Sequence, residues 1–204
     1  METLVMALAA FNIGYEAWNQ LGTEKSPGTK LFCLSGHITK PGTYELPFGL
    51  TIRELLDMAG GVPGGRQIQA LLVGGAAGVF IGPEKLDMPL TYEDAQAHGV
   101  PLGSGAIVVF DETAVLRDSL YQLAHFFAHE SCGKCFPCQI GTQRQLEILA
   151  RIAHNGDPRP TDKEALLDIG FTMTHTSLCG LGQTAATAVM SAIDLWPELI
   201  AGDV

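Results

Sequence analysis

The feature that most restricts how this chain can fold is the placement of four of its five cysteines. Three lie close together in Cys132-Gly-Lys-Cys135-Phe-Pro-Cys138, and the fourth, Cys179, follows much later. A C-x2-C-x2-C segment completed by a remote cysteine is typical of iron-sulfur clusters, which local thiolates bind on one side and a distant one completes. The pattern therefore predicts that these two segments meet in the folded protein.

Disulfides, structural zinc and inert buried thiols fit the cysteines less well. Disulfides require specific Cα and Cβ geometry and an oxidising compartment, and neither the odd cysteine count nor the N-terminal sequence favours them. Structural zinc also takes four thiolates, but it usually binds two separated C-x2-C pairs. Inert buried thiols would be scattered along the chain. An iron-sulfur cluster is favoured, and zinc stays open as the alternative.

Composition and charge narrow the class of protein. The chain has 204 residues, a hydrophobic content of 47% and a formal net charge of −10. Such an acidic chain is not expected to bind nucleic acid, because binding to phosphates needs clustered Lys and Arg. The sequence has no uncharged apolar run of about 18 residues and no signal peptide, so we expect no direct membrane insertion. The expected location is the cytoplasm, with peripheral attachment to a membrane complex as a further option.

The first part of the chain reads as an α+β unit. Residues 1–26 are predicted to form a helix that packs through Leu4, Leu8, Phe11 and Trp18, followed by a linker. Residues 27–112 are predicted to contain a hairpin over 30–46, a helix with a capping box at Thr51 and Glu54, and strands over 68–73 and 106–110. This order of elements resembles a β-grasp (ubiquitin-like) domain.

Residues 113–204 are predicted to be helical. Leu116, Leu120, Leu123 and Phe127 recur at helical spacing and lead directly into the cysteine triplet. Further helices are expected over 141–153, after a second capping box at Thr161 and Glu164, and as one helix after Cys179. The fold class is therefore α+β, with the β-grasp domain followed by an all-α helical-bundle iron-sulfur domain.

The expected ligands thus lie at helix ends. Backbone N–H groups at a helix start can offset the negative charge of a cluster and its thiolates. Gly133, Gly180 and Gly182 would let the backbone approach sulfur closely, although each could equally be a turn or capping glycine.

The remaining candidate residues are assigned ordinary roles. Cys33 lies in a strand-like segment and is expected to pack in the core. His175 is expected to be a satisfied or exposed histidine, and the pair His125 and His129 lacks the glutamate of H-E-x-x-H. The glycine-rich segments match neither G-x-G-x-x-G nor the P-loop, and no nucleophile–base pair has a local signature. No catalytic side chain is predicted, so any redox chemistry would come from a cofactor.

The segments Glu130-Ser-Cys-Gly-Lys-Cys-Phe-Pro-Cys138 and Ser177-Leu-Cys-Gly-Leu-Gly-Gln183 carry a resemblance to a known family. Together with Gly22–Lys30, Ser35–His37, Gly60-Gly61, Leu102–Gly105 and Asp111-Glu112, they resemble the C-terminal part of the 51 kDa flavoprotein subunit of respiratory complex I NADH dehydrogenase and related NAD-linked hydrogenases and formate dehydrogenases. The resemblance implies a soluble-ligand-binding β-grasp (SLBB) domain followed by a domain holding one 4Fe-4S cluster. It implies Cys132, Cys135, Cys138 and Cys179 as the ligands.

The resemblance also has a limit. In that family NADH and FMN bind an N-terminal α/β domain, which this sequence does not match, so we expect FMN and NAD only if a partner chain supplies them. Gln139 also stands where the family usually has arginine. The expected function is an electron-transfer iron-sulfur subunit or fragment whose partners are a flavoprotein domain or subunit and other iron-sulfur subunits of a multi-subunit complex. The alternative is a non-redox protein-interaction module with a structural zinc site.

Overall fold

The computed structural model describes residues 2–201 and has an α+β fold. These residues form the helices α1 (Glu2–Ile13), α2 (Tyr15–Asn19), α3 (Ile52–Met58), α4 (Tyr92–Ala97), α5 (Leu116–Glu130), α6 (Phe136–Asn155), α7 (Asp162–Thr176), α8 (Gly180–Thr184) and α9 (Thr187–Leu195). The strands are β1 (Thr29–Gly36), β2 (Gly42–Pro47), β3 (Ile68–Val73), β4 (Val79–Ile81) and β5 (Ala106–Asp111). Short 3-10 turns cover Pro63–Gly65, Pro83–Lys85 and Pro197–Leu199. The predicted α+β class is confirmed.

The chain divides into two compact units. The first comprises Met1–Gly75 and Gly82–Glu112, and the second comprises Ala76–Ile81 and Thr113–Val204. No described helix is both long and apolar enough to cross a membrane.

A mixed sheet organises the strands of the first unit, which follow the order β2-β1-β5-β3. β1 runs antiparallel to β2 and parallel to β5, and β3 runs antiparallel to β5. The four strands predicted from the sequence are confirmed. β4 was not predicted, because three residues flanked by Gly78 and Gly82 show too little periodicity to be recognised.

Side chains of β1 alternate between the core and solvent. Lys30, Phe32 and Leu34 are buried, whereas Leu31 and Cys33 are exposed. The prediction that Cys33 packs in the core is therefore wrong. The physical reason is the two-residue period of a strand, which places Cys33 on the face opposite to its neighbours Phe32 and Leu34.

Helix α3 follows its predicted capping pattern. The Glu54 backbone N–H donates to the Thr51 hydroxyl, and the Thr51 backbone N–H donates to the Glu54 carboxylate, so the predicted capping box is confirmed. Ile52, Leu55 and Leu56 form the buried face. Because two reciprocal bonds satisfy the first turn, this short helix has a well-defined start.

The N-terminal segment differs from its prediction in two respects. It forms two helices, α1 and α2, instead of one, with an interruption at Gly14, where φ is 90°. Within the described residues, no side chain of α1 is buried, and Leu4, Leu8 and Phe11 are exposed. Glu2 attaches the helix to β1, because its carboxylate accepts from the Lys30 ammonium at 2.8 Å and from the Leu31 backbone N–H at 3.0 Å. The helix is confirmed, but the described residues do not provide the packing that its apolar side chains predict.

The helices of the second unit surround an apolar core that includes Phe127, Met173, Ala185 and Ala186. Helix α6 begins at Phe136, inside the cysteine segment and earlier than predicted. The segment after Cys179 forms two helices, α8 and α9, instead of the single helix expected.

The predicted capping box at Thr161 is wrong. The Thr161 side chain makes no capping hydrogen bond. The adjacent Asp162 is buried and accepts instead from the Arg159 backbone N–H at 2.7 Å and from Arg151 at 2.6 Å. The physical reason is that the Thr161 backbone is itself helical, with φ −88° and ψ −4°, whereas a capping hydroxyl needs an extended N-cap residue.

Candidate metal centre

The cysteine triplet spans the connection between α5 and α6. Helix α5 ends at Glu130, Cys132 lies in the following turn, Cys135 is the N-cap of α6, and Cys138 lies in its first turn. Cys132 is exposed, Cys135 is half-buried and Cys138 is buried. The turn requires glycine at position 133, where φ is 72°.

The fourth cysteine occupies an equivalent position in another helix. Cys179 is the N-cap of α8. The α8 backbone approaches the first turn of α6 closely, since a Cβ added at Gly182 would lie 2.9 Å from the Cys138 Cβ and 2.5 Å from the Ser177 Oγ. The prediction that the triplet follows one helix and Cys179 precedes another is confirmed.

The thiols influence one another electrostatically. The pKa of the Cys138 thiol is raised above its ordinary value, chiefly by burial, and Cys135, Cys179 and Cys132 add to the rise. The pKa of Cys135 is lowered, chiefly by a hydrogen bond from the Leu178 backbone N–H. Both effects act only over short distances, so the segment around Cys179 lies beside the triplet.

Two serine hydroxyls that the sequence pattern did not predict as site residues lie at the thiols. The Ser131 hydroxyl is 3.3 Å from the Cys138 sulfur. The Ser177 hydroxyl lowers the pKa of Cys135, yet it is buried and has no hydrogen-bond partner of normal geometry among the described residues. Each cysteine-bearing segment contains a serine, and this sequence feature could have indicated both hydroxyls.

The donor set fits an iron-sulfur cluster. Its ligands are thiolates, and here the start of α6 and the loop before it supply three thiols while the start of α8 supplies a fourth. A buried hydroxyl without a partner is costly, and a hydrogen bond to a cluster sulfur would satisfy Ser177.

The remaining candidate residues lie elsewhere. The pair His125 and His129 is exposed, as expected from the missing glutamate. The Nδ1 of His175 bonds to the Phe171 carbonyl at 2.8 Å, and its ring stacks on Phe171. Cys33, which belongs to the first unit, is 3.6 Å from the Thr43 hydroxyl. These contacts give each side chain a structural partner or a solvent-exposed position.

Two protein families match this chain. Residues 118–202 match the family described as the NADH-ubiquinone oxidoreductase-F iron-sulfur binding region, and residues 31–76 match the SLBB domain. The first match contains all four cysteines of the candidate centre, and the second covers strands β1 to β3.

Several named proteins are similar to this chain over almost its whole length. The F subunit of the NADH-quinone oxidoreductase of Mycobacterium bovis is 42% identical over 95% of this chain and 43% of its own length. The HndC subunit of the NADP-reducing hydrogenase of Solidesulfovibrio fructosivorans is 37% identical over 95% of this chain and 40% of its own length. The crystal structure of an air-oxidized NAD+-reducing NiFe-hydrogenase matches with a TM-score of 0.86 and 34% identity, over 98% of this chain and 34% of that chain.

The chain thus spans less than half the length of these relatives and matches their C-terminal part. In this family, FMN and NAD belong to the N-terminal domain or to a partner. The chain thus carries an SLBB domain followed by an iron-sulfur binding region of the NADH-ubiquinone oxidoreductase-F type, and it is similar to the C-terminal part of F subunits of NADH-quinone oxidoreductases and of related hydrogenase subunits.

Proposed function

We propose that this chain carries one 4Fe-4S cluster and transfers electrons within an assembly of the NADH dehydrogenase type. The observation that carries the proposal is the convergence of Cys179, at the start of α8, with the triplet at the start of α6. The match to an iron-sulfur binding region and the names of the relatives support it. Its partners in such an assembly would be a flavin-bearing domain or subunit and other iron-sulfur subunits.

Cys132, Cys135, Cys138 and Cys179 would hold the cluster, which supplies one-electron redox chemistry. The Leu178 backbone N–H and the hydroxyls of Ser131 and Ser177 would donate hydrogen bonds to sulfur atoms. Donors at the sulfurs stabilise the more negative, reduced state of a cluster and therefore raise its potential. The half-buried position of Cys135 and the exposed positions of Cys132 and Cys179 leave one side of the centre open to a redox partner.

The finer architecture that we propose is a β-grasp domain over residues 27–112 and a helical iron-sulfur domain over residues 113–204. Supporting it, the central strands β1 and β5 are parallel, and helix α3 connects β2 to β3. The SLBB match lies within the first of these ranges and the iron-sulfur match lies within the second.

Single cysteine replacements test the proposal. Anaerobically purified protein should contain iron and acid-labile sulfide and should give an electron paramagnetic resonance signal after reduction. Cys135→Ala and Cys179→Ala should each lose most of the iron, because each removes one cluster ligand. Cys33→Ala is the matched control and should retain it, since Cys33 belongs to the other unit.

The decisive comparison is between iron and zinc. A colourless protein that binds zinc stoichiometrically and does not respond to reductant would refute the electron-transfer role. It would instead support the interaction module with a structural metal. Retention of full iron content by Cys179→Ala would refute the assignment of that ligand.

A further inference from the structure

The first unit contains a cavity of about 470 Å³ beside α3 and the glycine-rich loop that follows it. Arg53 and Asp57 of α3 line it together with Arg66 and Gln67 of the loop. The rest of the lining is largely apolar and includes Leu56, Val62, Ile68, Pro83 and Leu86. Its volume lies in the range of small-molecule sites, which combine apolar walls with a few polar groups.

The two arginines are each held by a carboxylate but keep unused donors. The Nε and Nη2 of Arg53 bond to Asp87 at 2.6 and 2.9 Å, and the Nη1 of Arg66 bonds to Asp111 at 3.2 Å. Within residues 2–201, no further acceptor bonds Arg53 Nη1 or the Nε and Nη2 of Arg66. Because a guanidinium has five N–H donors, both groups can bind an additional anion.

The carboxylate that supports Arg66 restricts where its guanidinium group can go. Asp111 is almost fully buried, with 1% side-chain exposure, and it also contacts the His37 Nδ1 at 2.9 Å. Arg66 is half-exposed. Asp111 holds the Nη1 of its guanidinium group, and the rest of that group remains accessible. A pre-positioned fork of this kind loses little side-chain entropy when it binds an oxyanion.

We propose that this cavity binds a small phosphate ester that carries an apolar group. The phosphate would accept hydrogen bonds from the unused donors of Arg53 and Arg66, and the apolar group would lie on the lining formed by Leu56 and its apolar neighbours. A phosphate dianion suits two guanidiniums better than a carboxylate does, because it has three terminal oxygens and a second charge. Asp57 opposes binding, and Asp87 and Asp111 offset part of the charge of the two arginines, so the proposed affinity comes from the unused N–H donors and the apolar lining and not from an excess of positive charge. This inference is independent of the proposed electron transfer.

Calorimetric titration of the full chain with phenyl phosphate, inorganic phosphate and benzyl alcohol tests the ligand class. We expect saturable binding of phenyl phosphate, weaker binding of inorganic phosphate, and no measurable binding of benzyl alcohol. Absence of saturable phenyl phosphate binding would overturn the proposal. Equal affinity for phenyl phosphate and inorganic phosphate would also overturn it, because the apolar lining would then contribute nothing.

Three charge variants test the location. Arg53→Gln should weaken phenyl phosphate binding about tenfold or more, since a charged hydrogen-bonding group is lost, and its partner Asp87 is exposed enough to remain solvated. Asp57→Asn should strengthen binding about threefold by removing an opposing charge. Lys25→Gln removes one positive charge outside the cavity lining and should leave affinity unchanged. An Arg53→Gln effect no larger than that of Lys25→Gln would refute the site.

Discussion

Replacing Gly182 with alanine should disturb the candidate centre directly. The added Cβ would lie 2.5 Å from the Ser177 Oγ, 2.6 Å from the Ser177 Cβ and 2.9 Å from the Cys138 Cβ. Rotating the Ser177 hydroxyl relieves only the first of these contacts, because the other two atoms are bonded directly to the backbone. Helix α8 must therefore move away from the first turn of α6.

Overpacking of this kind costs about 1–3 kcal/mol of unfolding free energy. For a chain of this size, that corresponds to a fall of roughly 2–12 °C in melting temperature. Because Cys138 and Cys179 border the contact, the variant should also bind less iron. Differential scanning fluorimetry and an iron assay on the same preparations measure both effects.

Gly180→Ala is the matched control, because an added Cβ there has no heavy atom within 4 Å and the residue lies in the same helix. It should retain iron and melt at the same or a slightly higher temperature, since alanine favours the helix. The close packing of α8 on α6 would be refuted if Gly182→Ala retained normal stability and iron, or if both variants were equally impaired.

Two further predictions concern carboxylates. Asp162→Asn should lower the unfolding free energy by about 1–3 kcal/mol in urea denaturation, because a buried, charge-assisted contact at the start of α7 is weakened. Asp157→Asn is the control and should have little effect. Equal urea midpoints for the two variants would contradict this account. The pKa of Glu93 is lowered from 4.5, chiefly by a hydrogen bond from the Ser26 hydroxyl, so its stabilising contribution is present above pH 4.5 and is lost as the pH falls through the folded-state pKa. Glu93→Gln should therefore flatten the acid side of the stability profile, and an unchanged profile from urea midpoints at several pH values would show that Glu93 does not contribute.

Several elements were predictable because their signals are local. The capping box of Thr51 and Glu54 depends only on neighbouring residues and is confirmed. Of the predicted α5 face, Leu116, Leu120 and Phe127 are buried, and Ala124 is buried where Leu123 was expected. The box expected at Thr161 failed because the backbone of Thr161 is helical and not extended. The general burial tendency of cysteine does not hold for Cys33, because the alternation of β1 places position 33 on the exposed face.

The cysteine spacing predicts a four-thiolate centre, and the residues of the two cysteine segments together with those of the first unit carry the family resemblance. Only the tertiary structure distinguished Gly182 from Gly180, identified Ser177 as a buried hydroxyl beside the thiols, and brought Arg53 and Arg66 to one cavity. Those properties depend on distances between residues that are remote or differently oriented along the chain. Packing sets such distances, and linear patterns of residue type do not encode them.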